Sequence, residues 1–182
     1  MTVALLGPKN TYCDWALREL RGFGACKKIY CRSIGGVFKA VLNGKADRGF
    51  VPIENSEAGK VRETEIYIKS GKFKIIKTLS YPISHCVAVK EKVADGKIRK
   101  IFSHEQAFKQ CRKFLKENFP DARLINLAST AAAMGLAKKD KYTFAVGSPK
   151  TAKIYGLAIL HENIQDSKNN RTVFALVKKG VL

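Results

Sequence analysis

Two polar clusters stand where apolar segments end or begin. The first follows Gly49-Phe50-Val51-Pro52-Ile53 and reads Glu54-Asn55-Ser56-Glu57-Ala58-Gly59. A carboxylate, an amide and a hydroxyl in consecutive positions at a strand end suit hydrogen bonding to a ligand better than turn formation alone. The second is Asn163-Ile164-Gln165-Asp166, followed by Asn170-Arg171-Thr172-Val173-Phe174. There a threonine hydroxyl beside a guanidinium can act as proton donor or substrate anchor, although β-propensity alone also places Thr at a strand start. His104, within Ser103-His104-Glu105-Gln106, is a tempting general acid; a helix-start histidine bonded to backbone is the favoured alternative.

Groups of this kind must be held by a scaffold, and the hydrophobic pattern supplies one. Val3–Leu6, Lys28–Cys31 and Arg48–Ile53 read as strands separated by helices at Tyr12–Leu20 and Gly36–Leu42. A short helix follows at about Glu63–Lys69, then strands Lys74–Ser80 and His85–Val89 on either side of Pro82. Strand Lys100–Phe102 precedes helix Glu105–Asn118, and strand Arg123–Asn126 precedes helix Thr130–Lys138. Strand Thr143–Val146 precedes helix Pro149–Tyr155, and the extended pieces Ala158–Ile164 and Thr172–Lys178 close the chain. Such alternation argues for an α/β architecture with largely parallel sheets.

Five of the strands empty into a hydroxyl-bearing helix start: Thr11, Ser33, Ser103 in a capping box with Gln106, Ser129 with Thr130, and Ser148 before Pro149. Capping explains any one of them. Together they sit on the sheet edge where ligands bind and where free amides and helix dipoles favour an anion.

Composition bounds the partners. The 182 residues carry 34 Lys and Arg against 15 Asp and Glu, a formal charge of +19, which favours an anionic partner. The basic residues divide 16 to 18 between residues 1–91 and 92–182, so there is no basic arm. The dense groups are Lys69, Lys72, Lys74 and Lys77; Lys97, Arg99 and Lys100; and Lys109, Arg112, Lys113 and Lys116, the last on one helix face. Without interleaved exposed aromatics these read as solvated surface rather than a nucleic-acid track. Cys13, Cys26, Cys31, Cys86 and Cys111 form no C-x-x-C pair, which points away from a disulfide frame or a zinc site. No run approaches membrane-spanning length, so a reducing, cytoplasmic location without a membrane partner is expected.

The motifs, taken in order, resemble the catalytic domain of the prephenate dehydratase family along nearly the whole chain. The family's Gly-Pro-x-Gly-Thr-Tyr/Phe-Ser is matched by Gly7 to Cys13, and Val-Pro-Ile-Glu-Asn-Ser-x-x-Gly by Val51 to Gly59. Ser-His-x-Gln-Ala-x-x-Gln-Cys is Ser103 to Cys111, and Ser-Thr-Ala-Ala-Ala is Ser129 to Ala133. Tyr155-Gly156-Leu157, Asn163 to Asp166 and Asn170 to Phe174 complete the series.

The resemblance implies an α/β, two-lobed, periplasmic-binding-protein-like (type II) fold with the active site in the interlobe cleft. Lobe one would comprise about 1–80 plus 166–182, and lobe two about 81–165. It implies loss of carbon dioxide and water from prephenate to give phenylpyruvate, a step towards phenylalanine. No metal or organic cofactor and a homodimeric assembly are implied too. Thr172 matches the family threonine assigned to the leaving hydroxyl. Thr11, Asn55, Ser56, Ser129, Thr130, Ala131, Arg171 and Phe174 are the expected substrate-binding residues.

The chain departs from the pattern at Val173, where the family's Thr-Arg-Phe carries Arg. Arg171 lies two residues away on the same strand face and is the expected stand-in. Asn10 replaces a Gly and Cys13 a Ser. The sequence ends at Leu182 with no regulatory domain following, so no phenylalanine feedback within this polypeptide is expected. The missing Arg leaves open an arogenate dehydratase or a non-aromatising prephenate decarboxylase, the latter disfavoured by Thr172. Alternatives of another class are a silent aromatic-acid-binding module and a nucleic-acid-binding protein.

Overall fold

A computed structural model describes residues 1–91 and 98–180; Lys97 and Leu182 lie outside the described residues. The chain divides into two compact units, Met1–Pro82 with Arg171–Leu182, and Ile83–Asn170. The chain returns to the first unit at Arg171 rather than near 166 because local bonds keep 166–170 in the second. Asp166 N donates to Gln110 O at 2.7 Å, and Ile83 N to Asn170 O at 2.9 Å.

In the first unit, β1 (Thr2–Leu6) lies between β2 (Lys27–Cys31) and β3 (Arg48–Asn55), all parallel. The last strand, β11 (Arg171–Lys179), is antiparallel to both β3 and β5 (Phe73–Pro82). The sheet order is β2-β1-β3-β11-β5, with the two-residue β4 (Gly59–Lys60) folded back on the end of β3. The sheet is therefore mixed, not largely parallel. The chain re-enters this unit where β3 finishes, at Thr172 opposite Asn55, and can only run back the other way.

Side chains alternate across this sheet. Ala4, Val51, Ala175 and Val177 pack with Val37 and Phe38 of α2 (Ile34–Leu42) in one cluster. Phe38 stacks on Tyr67 of α3 (Arg62–Lys69) with ring centroids 4.3 Å apart. Their strand neighbours Leu5, Phe50, Phe174 and Leu176 are buried as well, and α1 (Tyr12–Glu19) lies against β1 and β3. Both faces of the central strands are thus covered, which is why Val3–Leu6 is apolar without interruption. Each fully buried large side chain is worth about 1.5–3 kcal/mol.

The second unit holds β6 (Cys86–Val89), β7 (Lys100–Ser103), β8 (Arg123–Asn126), β9 (Phe144–Gly147) and β10 (Ala158–Glu162) in the order β10-β6-β9-β7-β8. β7 runs parallel to β8 and β9, whereas β6 is antiparallel to β9 and β10. The single helix expected over 105–118 is two, α4 (Glu105–Gln110) and α5 (Arg112–Asn118), separated by Cys111 at φ −117° and ψ 20°. Asp166 causes the break: its N–H takes the Gln110 carbonyl and its carboxylate accepts from Lys113 N at 3.1 and 3.2 Å. One helix end and one helix start are satisfied by the same residue. α6 (Thr130–Ala137) and α7 (Pro149–Tyr155) complete the unit. Among the described residues no helix is long and apolar enough to cross a membrane.

The loop that begins the first motif is tied down by Asp14, whose side chain is fully buried. It accepts from Lys28 Nζ and Arg18 Nη2 at 2.9 Å, from Asn10 N at 3.0 Å and from Tyr30 Oη at 3.2 Å. Asn10 is held with φ 68°, a conformation Asn tolerates better than most residues. Burial alone would raise the Asp14 carboxyl. Hydrogen bonds from Lys28, from Asn10 N–H and from Arg18 outweigh it and hold the group below its ordinary value. Burial and the adjacent carboxylate in turn push the Tyr30 phenol up to about 12.

A carboxyl more acidic in the folded chain than in the unfolded one stabilises fully above the unfolded value of 3.8, and the gain is lost as pH falls through the folded value. Asp14→Asn should destabilise the fold by about 2–3 kcal/mol at pH 7, a buried-pair loss reduced because Arg18 and Lys28 keep some water. Thermal unfolding should show the gap between wild type and variant unchanged from pH 7 to 5 and narrowing below about pH 4. A gap independent of pH down to pH 2 would contradict this account.

Candidate functional site

Asn55 ends β3 and Thr172 lies directly across from it near the start of β11. Asn55 Oδ1 accepts from Glu57 N at 3.0 Å and Ala58 N at 3.1 Å, closing the turn that reverses the chain into β4. Those two bonds fix which end of the carboxamide faces where. Nδ2 therefore points at β11, donating to Thr172 Oγ1 and to Arg171 O at 3.0 Å each. Both side chains are nearly out of water, each residue 9% exposed. With a lone pair of Oγ1 taken by an N–H, the threonine hydrogen is left for an acceptor outside the pair. This polarises the hydroxyl as a donor.

Ser56 seals the same ladder end, its N–H donating to Arg171 O at 2.9 Å and its Oγ accepting from Arg171 N at 3.0 Å. The Arg171 guanidinium crosses to β5, with Nε on Ser80 Oγ at 2.8 Å and Nη2 on Ser80 O at 2.9 Å. Ser80 is the register partner of Val173, so the guanidinium lies beside the position that lacks Arg. Phe174 is buried, 3% exposed, and stacked on Phe50 with centroids 5.4 Å apart. Thr11 caps α1, accepting from Asp14 N at 3.4 Å and donating to Leu6 O at 3.3 Å. Its donor hydrogen is therefore spent locally, while one acceptor lone pair is left over.

In the second unit Ser129 caps α6 through Ala132 N at 3.0 Å, with Thr130 half-buried and Ala131 buried behind it. Ser33 caps α2 in the same way through Gly36 N. The other two expected caps differ. His104, not Ser103, is the N-cap of α4, its Nδ1 accepting from Gln106 N at 3.2 Å. Ser103 instead lies within the sheet and donates to Val146 O at 2.7 Å, because the strand runs one residue further than its apolar run. Ser148 makes no side-chain cap bond to α7, where Pro149 lacks the first N–H anyway.

Gln110, in the same motif as His104, is buried and meets His85 Nε2 at 2.9 Å through Oε1, so Nε2 carries the hydrogen. The His85 backbone N–H in turn takes Gln165 Oε1 at 2.9 Å, joining the 103–111 and 163–166 motifs. His85 and Ser80 had no pattern in the sequence to mark them; only pairing across the fold reveals them. Among the described residues no three His, Cys, Asp or Glu side chains converge as a metal-ligand set. A surface cavity of about 570 Å³ lined by Met1 and residues 22–27 includes none of the candidate residues.

The family model for prephenate dehydratase matches residues 3–181. The chain belongs to that family. It is 37% identical over 178 residues to a bifunctional chorismate mutase/prephenate dehydratase of Aquifex aeolicus, covering 97% of this chain and 48% of that protein. Identity to the prephenate dehydratase of Methanocaldococcus jannaschii is 37% over 177 residues, 96% of this chain and 63% of the relative. A solved prephenate dehydratase from Arthrobacter aurescens in complex with L-Phe is 34% identical, with a TM-score of 0.88, over all of this chain and 61% of that one. The chain thus spans about half to just under two thirds of the length of these relatives. Its two mixed α/β units are those of the family's periplasmic-binding-protein-like fold.

Within this prephenate dehydratase fold, burial holds the His85 imidazole down to about 4, against the opposing pull of its bond to Gln110. Unfolded histidine takes up a proton below about 6.5, whereas the buried ring resists until near 4, so acid favours the unfolded chain across that window. Stability should therefore decline as pH falls from 6.5 to 4, and His85→Gln should flatten that slope whatever its absolute stability. Chemical denaturation at four pH values measures it; equal slopes in both proteins would refute the assignment.

Proposed function

We propose that this chain catalyses the decarboxylative dehydration of prephenate to phenylpyruvate, a step towards phenylalanine. The observation that carries the reading is the Asn55–Thr172 hydrogen bond, which turns a threonine hydroxyl into a directed donor in a site nearly closed to water. Prephenate is a dianion. Breaking its ring carbon–carboxylate bond sends an electron pair through the ring and expels the hydroxyl at the opposite ring carbon. With one proton taken up, the products are carbon dioxide, water and the phenylpyruvate monoanion. Thr172 donates to the departing oxygen, and a donor placed there contributes about 10²–10⁴-fold.

Arg171, beside Val173, supplies the cation for a carboxylate, and the amides at the Ser129–Ala131 helix start supply a second anion site. The cationic surface, +19 in total, would raise the local concentration of the dianion. Assembly as a homodimer belongs to the same proposal.

Incubation with prephenate followed by alkali should give the absorbance of phenylpyruvate; a dihydro product without it would defeat the reading. Thr172→Ala should lower kcat by about 10²–10⁴-fold with KM within a few fold, and undiminished turnover would remove Thr172 from the chemistry. Arg171→Ala should raise KM roughly tenfold, as expected for one charge-assisted bond partly screened by water. A normal KM would leave the carboxylate to other groups.

A further inference from the structure

The pairing of β3 with β11 is not continuous. Thr172 faces Asn55 and Val173 faces Glu54, but Phe174 faces Pro52, so Ile53 is an extra residue in β3. A bulge of this kind frees backbone groups from the ladder and re-aims the residues that follow it. Here both carbonyls at the bulge are taken by the segment that starts α3. Ile53 O accepts from Val61 N at 2.9 Å, and Pro52 O accepts from the Thr64 hydroxyl at 2.7 Å. Thr64 is 1% exposed and stands twelve residues further along the chain than Pro52. The two residues immediately beyond the anchored bulge are Glu54 and Asn55. A slip of one residue at this point would turn the Asn55 carboxamide to the other face of the sheet, away from Thr172.

We propose that Thr64 is a positioning residue for the reaction: by holding the Pro52 carbonyl it fixes the bulge whose phase brings Asn55 Nδ2 onto Thr172 Oγ1. It touches no reacting atom and acts through Asn55. The kinetic part rests on the dehydratase reading above.

Thr64→Val removes the hydroxyl at nearly constant volume. In the full chain, kcat for prephenate should fall by about 10- to 100-fold with KM within about twofold, the range for a small misplacement of a reacting group. Thr64→Ser, which keeps the hydroxyl, should restore kcat. In an Asn55→Ala background the same Thr64→Val change should cost no further kcat, because the group it positions is already gone. Independently of turnover, the Asn55 side-chain amide protons should exchange with solvent faster in Thr64→Val than in wild type, read by NMR. Should Thr64→Val not fold, Thr64→Ala carries the same comparisons. Unchanged kcat, an equal loss in the Asn55→Ala background, or undiminished protection of the Asn55 amide overturns the proposal. A wild-type chain that does not turn over prephenate would defeat the dehydratase reading alone, and amide exchange would still decide the role of Thr64.

Discussion

One cross-strand hydrogen bond organises the first unit: the carboxamide of Asn55 reaching Thr172 Oγ1 across the β3–β11 ladder. A buried hydroxyl without a partner costs about 1–3 kcal/mol, so the pair has to be made wherever these two residues lie out of water. Making it constrains almost everything nearby. The amide must be oriented, which the turn at Glu57 and Ala58 does through Oδ1. The strand ends must stay in register, which Ser56 does by exchanging two bonds with the Arg171 backbone. The last strand must run against β3, which is why the sheet is mixed. The satisfaction of one buried hydroxyl is thus bound up with the topology of the sheet.

Charge is handled differently at the surface and in the interior. Most of the basic excess lies at the surface and is solvated. Inside, Asp14 stays ionised by collecting Lys28, Arg18, a tyrosine hydroxyl and a backbone N–H. In this way a charge stabilises the loop carrying the first motif. His85 takes the opposite course, remaining neutral in a buried site where Gln110 accepts from its Nε2. The same motif that suggested His104 as an acid therefore contributes a buried amide to the second unit, while His104 itself caps a helix.

Several departures from the expected pattern share one cause, namely bonds between residues far apart in sequence. Cys111 interrupts a helical run that is continuous by periodicity, because Asp166, more than fifty positions on, satisfies groups on both sides of it. Ser103 has the spacing of a capping box, yet Val146 on a neighbouring strand claims its hydroxyl. The bulge at Ile53 is invisible in an apolar strand sequence and is defined only against β11 and Thr64.

Local physics was enough for much of the rest. Alternating apolar runs and helix-start residues located nearly every element, since backbone conformation follows from periodicity and from hydroxyls such as Ser33 and Ser129 that satisfy nearby amides. The order of motifs marked the family, and the types at positions 54–56 and 171–172 marked a polar strand end, because closely spaced polar groups there rarely serve packing. What the linear sequence could not hold was pairing. That Thr172 faces Asn55, that Arg171 rests on Ser80 beside Val173, and that Phe174 turns inward depend on which strands meet and in what register. Register is a property of two strands at once, set by burial on both faces of a sheet, so it exists only after the chain has folded.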